Sequence, residues 1–383
     1  MNTKESLTRF VKPDDPDLAL PQILDGELGD SEGTRHLVLV LIDGLGWWNL
    51  QEYLSYAPTL RRLIKGELRD GVAQKVGEAD TARSVFPSTT AAAITSLLTG
   101  LAPGAHNMLS YQVFDPEVRK RFNLISFEGY PGVVEQFQPQ PTWFERLAAR
   151  GETSFALGPK KFIGGGLTRA ALRGGKYVAS ESLEARARDA ARVASEGRFT
   201  YYYMAEVDHA GHGHGVGSDT WLAALEEADR AVGVLLNELP SGTELIVTAD
   251  HGMLNTSAEE TYDLATNHES RHIVNVSGEG RVLHLRVELQ DVAIVARTVE
   301  KALAEFSPDS HVFTRAEAKG LFEAYNGVSV SRGDLLGDLV IVSGGSAQVL
   351  DSRFFKEQTF HMVGVHGGLS EIEMRVPLLK YRS

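Results

Sequence analysis

The sequence predicts an α/β protein with a doubly wound, mostly parallel central sheet flanked by helices, and a small α+β cap inserted late in the chain. Three observations predict it. Nearly continuous apolar runs are bounded by charged and glycine-containing segments, amphipathic helical patterns alternate with those runs, and from about residue 269 the patterning changes to shorter segments. Apolar runs of this length read as strands covered on both faces, and their alternation with helices marks a doubly wound sheet.

The first run, residues 36–42 (HLVLVLI), ends in Asp43-Gly44. The second, residues 199–207 (FTYYYMAEV), ends at Asp208, and the third, residues 244–249 (ELIVTA), ends at Asp250. Residues 58–68 and 183–196 read as helices. From Ser218, a good N-cap, Leu222, Leu225, Val232 and Leu236 recur at helical spacing until Pro240 and Gly242 close the segment. Residues 88–98 follow Pro87 and carry Ala91-Ala92-Ala93, Ile94, Leu97 and Leu98, which predicts a helix with Ser88, Thr89 and Thr90 at its N-terminal end. The glycine-rich residues 158–175 (GPKKFIGGGLTRAALRGG) predict a long loop at the rim of a site. Residues 281–288 (RVLHLRVE) alternate like a half-exposed strand, residues 291–306 read as an amphipathic helix, and the chain is expected back in the main sheet near residues 338–342 (DLVIV). The expected division is a core of residues 1–268 and 340–383 with a cap over 269–339.

Composition narrows the chemistry. Thirty-eight Lys plus Arg against 51 Asp plus Glu leave a net charge of −13, which argues against a nucleic-acid scaffold or an anionic-membrane binder because the long-range field repels polyanions. Zero cysteines exclude disulfides, thiolate zinc ligands and a cysteine nucleophile, so any metal relies on nitrogen and oxygen ligands. Neither the first 20 residues nor any later stretch supplies the apolar run of a leader or a membrane span. The expectation is a cytoplasmic protein with a small-molecule partner and no membrane partner; its oligomeric state is left open.

In an open α/β sheet, ligands bind beyond the carboxyl ends of the strands, where Asp43, Asp208 and Asp250 would converge. His212 follows Asp208 by four residues, His251 adjoins Asp250, and His366 comes late in Val365-His366-Gly367-Gly368. Any one of these aspartates taken alone reads better as a cap. Together, three aspartates and three histidines exceed the four ligands of one structural zinc and suit two adjacent divalent ions with positions left open for substrate. Nitrogen and oxygen donors fit zinc, manganese or iron. Thr89 or Thr90, at a predicted helix N-terminus, is a candidate metal-activated nucleophile, and a simple N-cap is the alternative. His209 and His214 flank His212, His106 reads as structural, and Trp47 and Trp48 read as core residues. His268, His272 and His361 receive no role.

Ile42-Asp43-Gly44, Pro87-Ser88-Thr89-Thr90, Leu98-Thr99-Gly100-Leu101 with Pro103-Gly104-Ala105-His106, the two Asp/His motifs and His366, in that order, resemble the alkaline phosphatase superfamily. The resemblance is closest to its nucleotide pyrophosphatase/phosphodiesterase branch and extends from Asp43 to His366. It implies that Thr90, three residues after the motif proline, is the nucleophile. It also implies one metal held by Asp43, Thr90, Asp250 and His251, and a second held by Asp208, His212 and His366.

Two departures stand out. Ala91-Ala92-Ala93-Ile94 follows Thr90 where the family commonly has Phe-Pro-Asn-His, and Tyr111 falls where an asparagine usually helps hold a phosphoryl oxygen. Tyr111, Asn107, Lys160, Lys161, Arg169 and Arg173 are the candidates for that work. The expected function is therefore a two-metal phosphohydrolase, zinc-dependent by preference, that cleaves phosphodiester or nucleotide pyrophosphate bonds through a phosphothreonine intermediate. A phosphomonoesterase or phosphomutase of the same superfamily and a catalytically silent metal- or phosphate-binding module are the rivals. A sulfatase would need a C/S-x-P-x-R motif, which the chain lacks.

Overall fold

The three apolar runs are adjacent strands at the centre of one sheet in the computed structural model, which describes residues 7–15, 17–29, 35–67, 72–74 and 81–383. Leu37–Ile42 pairs in parallel with Phe199–Met204 on one side and with Glu244–Thr248 on the other. All six of its side chains are buried, as an unbroken LVLVLI run requires of a strand covered on both faces. Ser154–Gly158 and then Lys176–Ala179 extend the parallel array beyond Phe199–Met204. At the other side Arg375–Arg382 adds an antiparallel strand, to which the short strands Val72–Gln74 and Thr81–Arg83 both pair, making eight.

Helices cover this sheet. Asp219–Glu238 starts at Ser218, whose side chain accepts from the Trp221 N–H, and it packs against Leu183–Ala194. Pro58–Lys65 ends where Gly66 turns left-handed at φ 69°. The last residue of the predicted 58–68 helix, Leu68, lies outside the described residues. Thr90–Thr99 is a helix whose residues from Ala91 onward are all buried. Its three small alanines let neighbouring elements approach on several sides.

Four expectations change. The second strand stops at Met204, Ala205 takes a helical conformation, and Glu206–His214 is a helix, so Asp208 sits in a first helical turn instead of at a strand end. The glycine-rich segment is no open loop: it holds a 3-10 turn at Lys160–Phe162 and a helix at Gly166–Ala171. Val282–Val287 is almost wholly buried, because it lies between two partners in a separate four-stranded antiparallel sheet. That sheet runs Ile273–Glu279, Val282–Val287, Leu339–Val342, His311–Thr314. Leu339–Val342, expected in the main sheet, thus belongs to the cap sheet, and a boundary at 339/340 cuts through a strand. The return to the main sheet comes only with Arg375–Arg382.

Candidate active site

Asp43 follows the central strand, and its N–H donates to the Met204 carbonyl at 2.9 Å, which fixes the carboxylate at the sheet's C-terminal edge. Gly44 has φ +74°, and a Cβ there would stand 2.9 Å from Asp208 Cβ, so only glycine lets these two segments approach this closely. Its N–H donates to Asp250 Oδ1 at 3.1 Å, as does the N–H of His251. Three elements are joined at this point. On the far side, Ser88 and Gly367 form an antiparallel bridge, and the Ser88 hydroxyl donates to the Gly368 carbonyl at 2.7 Å. The start of the Thr90–Thr99 helix is thereby tied to the segment that carries His366.

Two groups of ligand-type side chains result. Asp43, Asp250 and His251 form one, with His251 Nε2 at 3.5 Å from Asp43 Oδ1 and 3.4 Å from Asp250 Oδ2. Asp208, His212 and His366 form the other, with Asp208 Oδ1 at 3.4 Å from His212 Nε2 and 3.8 Å from His366 Nε2. The groups adjoin, since the His251 and His366 rings stack with centroids 3.6 Å apart. Thr90 Oγ1 lies 3.2 Å from His251 Nε2.

Each of the three imidazoles meets a backbone carbonyl through Nδ1: His212 that of Gly364 at 2.8 Å, His251 that of Gly252 at 3.2 Å, and His366 that of Ser88 at 3.0 Å. A carbonyl only accepts, so Nδ1 carries a proton and Nε2 is the ring nitrogen that faces the carboxylates. This is the second-layer arrangement that orients metal-binding histidines. Asp43 Oδ1, Asp208 Oδ1 and Asp250 Oδ2 are buried with no hydrogen-bond partner. Three buried carboxylate oxygens without a donor, each facing an imidazole Nε2, form an electrostatically incomplete set, which divalent cations would complete.

The charge states agree. Burial and the neighbouring Asp250 and Asp208 carboxylates push Asp43 well above the usual carboxylate range, against the hydrogen bond it receives from the Tyr203 hydroxyl. Burial raises Asp250 as well. Burial, with His251 and His212 alongside, holds His366 well below an ordinary imidazole. The donor set therefore fits two divalent ions.

Asp43, Asp208, His212 and His366 open onto a cavity of ≈ 590 Å³. Thr89, Thr90 and Tyr111 line it, and the Tyr111 hydroxyl accepts from Asn123 Nδ2 at 3.0 Å. Thr89 is the N-cap residue, but its hydroxyl leans towards Glu279 at 3.4 Å and does not cap the helix. The other substrate-binding candidates do not line the cavity. Asn107 donates to the Phe137 carbonyl and accepts from Ser331. Arg169 makes a bidentate pair with Glu135, and Arg173 pairs with Glu145 at 3.0 Å. Lys160 and Lys161 are exposed, the latter against the Phe162 ring. His106 is buried, donates to Ser96 at 2.9 Å and accepts from the Met108 N–H. His209, His214 and His361 lie around a second hollow behind His212, and His268 and His272 pair with Glu269. Trp47 packs against the core.

Sequence reasoning passed over Tyr203, Glu279, Arg121 and Lys356, all of which line the cavity. Tyr203 sits in the aromatic strand that precedes Asp208. Arg121 comes from the hairpin of Gln112–Asp115 and Lys120–Asn123, Glu279 from the cap, and Lys356 from the late loop before Glu357–Phe360, with no motif around them.

Comparison with known proteins agrees with this geometry. Mouse ectonucleotide pyrophosphatase/phosphodiesterase family member 1 is 29% identical over 180 residues, 45% of this chain and 20% of that protein. Venom phosphodiesterase 2 of Crotalus adamanteus is 26% identical over 236 residues, 58% of this chain and 27% of that protein. The match thus spans less than a third of either relative's length. An inactive variant of murine ectonucleotide pyrophosphatase/phosphodiesterase 5, solved in complex with AMP, shares the fold with a TM-score of 0.69 at 20% identity, covering 90% of this chain and 87% of that one. Among the described residues no helix is long and apolar enough to cross a membrane. The family described as type I phosphodiesterase / nucleotide pyrophosphatase matches residues 37–369, and the chain belongs to that family, a branch of the alkaline phosphatase superfamily.

Proposed function

We propose that the protein hydrolyses phosphodiester or nucleotide pyrophosphate bonds, with Thr90 as the nucleophile and two divalent ions as cofactors. The observation that carries this reading is the convergence of the two three-residue groups, with their unpartnered carboxylate oxygens, beside the Thr90 hydroxyl at the wall of one cavity. Asp43, Asp250 and His251, with Thr90, would hold one ion, and Asp208, His212 and His366 the other. Zinc suits these ligands best, with manganese or iron as alternatives. When bound, such ions lower the pKa of a hydroxyl and neutralise charge on the phosphoryl oxygens.

The residues' own contributions follow from their placement. The ester would bind in the cavity with its phosphorus facing Thr90 Oγ1. The oxygen–phosphorus bond forms as the ester oxygen departs with its bonding electrons and takes up a proton. Water then attacks the phosphothreonine, which still carries the substrate's other ester group; the Oγ1–phosphorus bond breaks, restoring the hydroxyl and releasing a phosphate monoester. The free N–H groups at the start of the Thr90–Thr99 helix favour the negative charge gathered there. Tyr111 stands at the cavity wall with its hydroxyl available to a phosphoryl oxygen.

Thr90→Ala tests the assignment. Turnover of bis(4-nitrophenyl) phosphate is expected to fall by at least about a thousandfold, the scale on which removing an activated nucleophile acts, while two ions per chain remain bound. Activity retained in the variant would refute Thr90. Fewer than two ions in the wild-type protein would favour a silent binding module, and faster cleavage of 4-nitrophenyl phosphate would favour a monoesterase.

A further inference from the structure

We propose that the substrate carries a second anionic group besides the reacting phosphoryl, and that Arg121 and Lys356 bind it at the cap side of the cavity. This inference rests on the hydrolase reading above and narrows its substrate class.

Arginine in this protein is usually paired with a carboxylate. Arg169, Arg173, Arg281, Arg332, Arg353 and Arg375 all hold one, and Arg281 does so with no exposure at all. Arg121 lines the cavity, is half-buried, and has no acid within ion-pair distance among the described residues. Its Nη1 donates to the Val276 carbonyl at 3.0 Å, and its guanidinium lies 5.8 and 5.9 Å from the Phe354 and Phe355 ring centres. Those contacts hold the group in place and leave its charge uncompensated. Burial draws its pKa below the ordinary guanidinium value. A fixed, partly desolvated fork of donors is the usual means of recognising phosphate or carboxylate.

Lys356 supplies a second cation from the exposed rim. It follows Phe355 directly, lines the same cavity, and likewise has no acid partner among the described residues. The wall formed by Ile94, Leu157, Leu167 and Leu172 is apolar, so the positive charge is confined to the side formed by the hairpin, the cap and the late loop. Glu279 lines this side too, but it is within ion-pair distance of neither cation and its carboxyl faces Thr89. A neutral second substituent would leave both cations without a partner.

The test compares wild-type protein with Arg121→Gln, Lys356→Gln and the double variant. Three substrates serve: bis(4-nitrophenyl) phosphate, which has no second anionic group; ATP, which has extra charge on its polyphosphate; and 4-nitrophenyl thymidine 5′-phosphate bearing a 3′-phosphate. The ratio of kcat/KM for at least one polyanionic substrate to that for bis(4-nitrophenyl) phosphate should fall about tenfold in each single variant, the worth of one charged hydrogen bond, and further in the double variant. Which of the two substrates responds identifies the side of the phosphoryl that faces the cations. An unchanged ratio for both would overturn the proposal. Calorimetric binding of ATP to Thr90→Ala protein needs no turnover: a Kd weakened about tenfold by Arg121→Gln supports the proposal, and an unchanged Kd contradicts it. Binding that responds in a protein that cleaves none of the three substrates would retain the anion site and reject the hydrolase reading.

Discussion

Arg281 and Glu373 form a bidentate ion pair at 3.0 and 2.9 Å with both side chains fully buried. Arg281 belongs to the cap segment, whereas Glu373 lies just before the Arg375–Arg382 strand of the main sheet. The same carboxylate accepts from the Gly368 N–H at 2.8 Å and from the Ser370 hydroxyl. One pair therefore joins the cap to the core and holds the turn that follows His366. Removing one partner leaves an uncompensated buried charge, so Arg281→Met should destabilise the protein by about 3–5 kcal/mol. Urea unfolding reads the loss, and metal analysis of the folded variant should show weaker loading at the His366 group.

Gly44 and Gly213 make a matched contrast. Gly44 has positive φ and faces Asp208, while an added Cβ at Gly213 would meet nothing within 4 Å. Gly44→Ala should cost about 1–3 kcal/mol in backbone strain. By displacing Asp208 it should also cost on the order of a hundredfold in turnover. Gly213→Ala, in the helix that carries Asp208 and His212, should leave stability equal or raised by up to about 1 kcal/mol. Thermal unfolding and steady-state rates of the two variants check the pair.

Acid sensitivity should trace in part to His106. Burial pulls its pKa down to about 3, so the folded protein keeps it neutral while the unfolded chain protonates it near the ordinary imidazole value of 6.5. Between these values the unfolded state binds more protons, and the contribution of His106, complete above about pH 6.5, is lost as the pH falls towards 3. His106→Gln, which keeps a donor and an acceptor without a titrating group, should flatten the pH dependence of the urea midpoint over that window. A profile parallel to that of the wild type would show that His106 contributes nothing to it.

Much of the site could be read from the sequence, because the features that position it are local. An unbroken apolar run ending in Asp43-Gly44 announces both a buried strand and the edge where the Asp43 carboxylate sits. Asp250-His251 behaves in the same way. Asp208 reaches the candidate site from a helix and not from the strand end that its sequence context suggests, since nothing in FTYYYMAEV marks the helical turn that starts at Ala205. The cations were harder to read. Arg169 and Arg173 look available in a glycine-rich segment, yet their partners Glu135 and Glu145 lie 34 and 28 residues away in the chain. Arg121 and Lys356 look ordinary in sequence, and only the folding of the hairpin and the late loop against the cap brings them to one cavity. Leu339–Val342 misled for a similar reason: an apolar run does not say which of two sheets it joins.

The central claim is that Thr90 takes up the phosphoryl group. Acid-quenching the protein during turnover of bis(4-nitrophenyl) phosphate, followed by peptide mass spectrometry, tests it most directly. A 4-nitrophenylphosphoryl adduct is expected on the peptide containing Thr90, and none on Thr90→Ala protein. Turnover with the adduct on another residue, or undiminished turnover in Thr90→Ala protein, would contradict it.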